Sequence, residues 1–99
     1  MVADGIDRVA IRETMDRYSA QMRFCYDRSL ARRPTLAGSV VVHFTIGPTG
    51  TVLDAKTRDS TLGDEDLERC LETRVRNLRF PKPIGGQAVV AYPFVFRPE

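Results

Sequence analysis

The chain has 99 residues, with hydrophobic residues at 42% and charged residues at 28%, a length that fits one core and a composition that excludes disorder and fibrous repeats. Fifteen basic and thirteen acidic side chains give a formal charge of +2, and because the signs are interspersed, a strongly basic polyanion-binding surface is not expected. No apolar run approaches the roughly 20 residues that span a bilayer, and the N-terminus lacks the apolar stretch of a signal peptide, so the sequence reads as a cytosolic protein or as a piece of a longer one.

From about Asp7 to Ala31, the apolar residues Ile11, Met15, Tyr18, Met22 and Cys25 recur at alternating steps of four and three, which predicts one amphipathic helix. Asp4 or Asp7 can cap its start, and Pro34, just past Arg32 and Arg33, supplies the stop. A first strand follows over residues 39–46, with Val40, Val42, Phe44 and Ile46 on one face by period-two alternation. Gly47-Pro48-Thr49-Gly50 makes the turn, and residues 51–58 return as an antiparallel strand.

After the loop Ser60-Thr61-Leu62-Gly63, the acidic Asp64, Glu65 and Asp66 sit where a helix N-terminus is electropositive. Leu67, Cys70, Leu71, Arg74 or Val75, and Leu78 trace the inner face of this second helix, and Phe80-Pro81-Lys82-Pro83 ends it. Gly85-Gly86 then leads into a last strand that places Val90, Tyr92, Phe94 and Phe96 on one side. Pro93 has no N–H to donate, so this strand is expected at a sheet edge. Setting it beside the first strand makes every neighbour antiparallel. The expected fold is therefore α+β: a two-layer sandwich in α-β-β-α-β order, whose three-stranded antiparallel sheet has order 2-1-3 and carries both helices on one face. The whole of 1–99 is one domain with its core at about 6–96.

The hairpin Leu36-Ala37-Gly38-Ser39-Val40-Val41-Val42-His43-Phe44-Thr45-Ile46-Gly47-Pro48-Thr49-Gly50-Thr51-Val52, the loop at Ser60, the Phe80-Pro81 pair and the last strand resemble TonB-family C-terminal domains. Arg23-Phe24-Cys25-Tyr26, Cys70 and Tyr92-Pro93-Phe94-Val95-Phe96 are more narrowly similar to C-terminal domains of the AgmX/PglI type, found in myxobacterial gliding-motility proteins. The cysteine pair departs from TonB proper. The resemblance implies a periplasmic module of an inner-membrane-anchored protein, with its anchor upstream of Met1, that links a proton-driven motor to an outer-membrane or envelope partner.

Cys25 and Cys70 each fall on the apolar face of a predicted helix, and two helices on one sheet face would bring them within bonding reach, so a disulfide is expected. Two buried thiols are the alternative for a cytosolic domain. Cys25, Cys70 and the single His43 are too few and too scattered for a zinc site. Alternation turns His43 away from the helices, which leaves no thiol–imidazole pair. No phosphate-cradling loop precedes a helix, and no catalytic group, metal or cofactor is expected. Function is expected at the last strand, where Gln87, Ala88, Val89, Val90, Ala91 and Tyr92 would accept an extended peptide from an outer-membrane or periplasmic protein as an added strand. Homodimerisation through the same edge is the alternative. RNA binding ranks below both, because Phe44, Tyr92, Phe94 and Phe96 share faces expected to lie under helices.

Overall fold

Alternation in the central hairpin dictates where the sheet is buried. In the computed structural model, which describes residues 1–98, β1 (Val2–Asp4) is followed by α1 (Arg8–Arg17), α2 (Ser19–Leu30), β2 (Gly38–Ile46), β3 (Val52–Arg58), α3 (Glu65–Arg76) and β4 (Ala88–Phe96). Val40, Val42, Phe44 and Ile46 of β2 are fully buried, as is Val90 of β4, and Leu67, Leu71 and Val75 of α3 meet them from above. Each such side chain contributes about 1.5–3 kcal/mol on leaving water.

The fold is α+β, but its sheet differs from the expected three-stranded 2-1-3 arrangement. There are four strands, in the order β1-β4-β2-β3, every neighbour antiparallel. The extra strand is β1, whose Val2, Ala3 and Asp4 pair with Ala91, Val90 and Val89. Three residues give no periodicity that could mark a strand in advance. Gly5, with φ +89°, turns the chain out of β1, and a Cβ there would lie 2.4 Å from the Gln87 carbonyl oxygen.

The single long helix is also two. Asp7 caps α1, its side chain accepting from the Val9 N–H at 3.0 Å. The helix then bends at Tyr18, whose N–H is shared between the carbonyls of Thr14 (3.3 Å) and Met15 (3.2 Å). Thr14 Oγ1 donates to the Ala10 carbonyl at 3.0 Å, and such back-bonding tilts a helix at its next turn. Both halves keep their apolar residues on the sheet: Ile11 and Met15 from α1, Met22, Cys25 and Tyr26 from α2.

Polar and ring contacts fix the helices and the ends of the sheet. The buried Tyr26 hydroxyl donates to the Leu36 carbonyl, while its ring stacks on Phe96 with centroids 4.8 Å apart. Asp64 caps α3 by accepting from the Leu67 N–H at 3.0 Å. At the other end, the Phe80 N–H donates to the Gly50 carbonyl at 2.9 Å. Gly50 is required there: its φ is +90°, and a Cβ would come within 2.0 Å of the Phe80 carbonyl oxygen.

Candidate functional site

A four-stranded open sheet has two edges, and this chain treats them differently. Along β3, α3 lies against the edge, and Glu72 Oε2 accepts from the Thr57 N–H at 2.8 Å. Asp54, Lys56 and Arg58 stand exposed on the same strand, and the register slips between Thr45 and Ile46. A helix cover, a side-chain cap, charges and a bulge are the devices that discourage strand addition. The β3 edge is closed.

The opposite edge is closed only in part. Of the residues expected to accept a peptide, Gln87, Ala88, Val89, Val90, Ala91 and Tyr92, three (Val89, Val90 and Ala91) have β1 as their outer neighbour. Gly5 is pressed against Gln87 and Ala88. The expectation that β4 is an edge strand along this stretch is thus corrected by β1. Beyond Ala91 the situation reverses. Residues 92–96 pair with Val42, Val41, Val40, Ser39 and Gly38 of β2 on one side, and no strand lies on the other among the described residues. Pro93 falls just past the last residue that β1 covers, where its missing N–H takes nothing from that ladder.

Beside this open stretch runs a groove of about 530 Å³ between β4 and the α1–α2 bend. Its floor is apolar, made by Met15, Met22, Tyr92, Phe94 and Phe96; Asp16, Ser19 and Arg23 stand at its rim. The Tyr92 and Phe94 rings lie 5.1 Å apart and those of Phe94 and Phe96 6.2 Å, so the strand presents a continuous aromatic wall. Burial holds the Tyr92 phenol above its ordinary pKa, helped by the Asp16 carboxylate and opposed by Arg12. It therefore stays neutral near pH 7, able to donate and accept one hydrogen bond at the groove's margin. On the uncovered face of the same strand, Val95 is 65% exposed.

The cysteines meet. Cys25 and Cys70 form a disulfide that ties α2 to α3, with Cα atoms 5.7 Å apart. His43 lies on the face without helices, across from Lys56 and Ala91. Among the described residues, no group of three or more His, Cys, Asp or Glu gathers as a metal would require, and no helix is long and apolar enough to cross a membrane. The signal missed in the sequence was the short Val2-Ala3-Asp4 segment, which moves the open edge from the start of the last strand to its end.

The chain is 36% identical over 93 residues to the tyrosine-protein kinase MasK of Myxococcus xanthus (strain DK1622), a match covering 94% of this chain and 14% of that protein. The chain thus spans about one-seventh of the length of the relative it matches. No protein-family model matches the chain. No solved structure matches it.

Proposed function

We propose that this chain is a non-catalytic interaction module that takes an extended segment of a partner protein as an added strand along residues 92–96. The observation that carries the proposal is the unpaired outer side of those residues, set beside an apolar groove. Main-chain hydrogen bonds supply affinity, and alternate side chains of the incoming strand enter the groove next to Tyr92, Phe94 and Phe96. With the β3 edge guarded, an added strand is expected at the β4 side of the sheet.

In this reading the chain is a TonB-type C-terminal domain, nearest the AgmX/PglI type. It works in the periplasm at the end of an inner-membrane-anchored protein and transduces energy from a proton-driven motor to an outer-membrane or envelope partner in gliding motility. The Cys25–Cys70 bond supports an oxidising compartment. The similarity to a short stretch of a myxobacterial kinase supports a module attached to larger proteins whose remaining parts differ. In this reading the module itself is non-catalytic, and the match, which covers 14% of the kinase, leaves most of that protein outside it.

A random peptide library displayed on phage, selected against the oxidised protein, tests the reading. Selected peptides are expected to slow hydrogen exchange at those amides of residues 94–96 that face away from β2, which alternate along the strand, and to show cross-strand contacts to Phe94, Val95 and Phe96. Peptides that bind without touching residues 92–96 would refute it. The same open edge also favours antiparallel pairing with a second copy, which a concentration-dependent mass would reveal.

A further inference from the structure

On the helical layer, away from the β4 edge, α2 and α3 run side by side under the Cys25–Cys70 bond. On their solvent side an open groove of about 490 Å³ is lined by Arg28 from α2 and by Asp66, Arg69, Cys70, Thr73 and Arg74 from α3. Three guanidinium groups and one carboxylate face it, and the carboxylate is already engaged: Arg32 Nη1 donates to Asp66 Oδ2 at 2.7 Å. Arg69 touches Glu65 at 3.5 Å across two largely exposed side chains, a contact of little strength. Arg28 makes no hydrogen bond or ion pair among the described residues, and Arg74 rests over the Phe24 ring at 5.7 Å. The balance of charge in the groove is positive.

The charges are spread along the groove. From Arg69 to Arg74, α3 advances five residues, roughly 7.5 Å at 1.5 Å per residue, with Arg28 across from them on α2. A single phosphate would need guanidinium groups converging on one point; a row of them along a channel matches several carboxylates spaced along a chain. The disulfide at the floor holds the two walls at a fixed separation. On α1 the pattern is different, since Arg8, Arg12 and Arg17 alternate with Glu13 and Asp16.

We infer that the α2–α3 groove is a docking site for an acidic peptide segment of a partner protein, read by Arg28, Arg69 and Arg74, with Thr73 offering a hydroxyl donor. This surface is separate from residues 92–96, so the inference stands whether or not the edge binds a strand. Two such contacts would let one partner engage by an extended strand at one place and by charge at another.

The test is a titration of isotope-labelled oxidised protein with hexaglutamate, with inorganic phosphate and hexalysine as comparisons, read by amide and arginine side-chain resonances. Expected are saturable shifts at Arg28, Arg69, Thr73 and Arg74 with hexaglutamate, abolished at about 0.5 M salt where charges are screened within a few ångström. Arg28→Ala/Arg69→Ala is expected to weaken binding at least roughly twofold, the low end for losing two exposed ion pairs, with the β2 amide resonances unchanged. Should that variant misfold, Arg28→Gln alone serves, because Arg28 is exposed and acts on its surroundings only through its charge near Asp66. The inference is overturned by an absence of saturable shifts with hexaglutamate. It is equally overturned by tighter saturation of the same residues with phosphate, or by a folded double variant that binds as the parent does.

Discussion

Breaking the Cys25–Cys70 bond should remove much of the domain's stability, and the size of the loss follows from the chain between the cysteines. Their separation is 45 residues, and closing a loop of that length restricts the unfolded ensemble by about 4 kcal/mol in the chain-entropy account. Natural domains have about 5–15 kcal/mol in total, and a chain this short belongs toward the lower end because it buries proportionally less surface. The assay is urea unfolding of the oxidised protein against Cys25→Ala/Cys70→Ala at matched pH. A fall of about 4 kcal/mol is expected, with an equal or steeper denaturant slope, because the unbridged chain expands further when it unfolds. On heating, the same loss corresponds to a drop in Tm of roughly 15–30 °C for a domain of this size. A loss below about 1 kcal/mol would refute the reasoning, since it would mean that the unfolded chain already holds the two helices together without the bond.

The Arg32–Asp66 pair predicts a weak acid dependence. The hydrogen bond and charge of Arg32 hold the Asp66 carboxyl below its ordinary range, so its contribution is complete above about pH 4, where the unfolded carboxylate is ionised. The contribution disappears as pH falls through the depressed folded value. Asp66→Asn should therefore flatten the stability slope below about pH 4, and identical slopes for the two proteins would contradict the assignment. Glu72→Ala leaves the Thr57 N–H without its acceptor. It should cost about 1–2 kcal/mol, within the range for losing a charged acceptor at a partly buried donor, and speed hydrogen exchange at Thr57. An unchanged exchange rate would show that the carboxylate does not guard that edge.

Strong periodicity made much of this fold readable in advance. Alternation placed Val40, Val42, Phe44 and Ile46 inward, and the spacing of Leu67 and Leu71 marked the buried face of α3, leaving Arg74 or Val75 open at the position where the structure buries Val75. Asp64 was recognisable as a helix start because its acidic neighbours follow directly. What escaped was set by tertiary contact. The four-three spacing runs unbroken through Tyr18, so the bend between α1 and α2 leaves no mark on the pattern. Val2-Ala3-Asp4 is a strand only because β4 offers it a ladder. This segment decides which part of β4 is open, so the sequence alone put the unpaired edge on the stretch that β1 covers. Pro93 pointed to an edge correctly in kind, yet only the structure shows that the edge begins beside it.

The staple also divides the chain mechanically. β2, β3 and the first half of α3 lie inside the loop closed by Cys25 and Cys70, whereas β1, α1 and β4 lie outside it. A tension applied between the chain's two ends therefore reaches only the outer segments once they peel away, and the β2–β3 hairpin is bypassed by the covalent link. Of the 99 residues, the 45-residue separation is withheld from extension, leaving 99 − 45 = 54, or roughly 190 Å of fully drawn backbone at about 3.5 Å per residue. With the bond reduced, the same pull would draw out the entire chain, so the redox state sets how far this domain can lengthen under load.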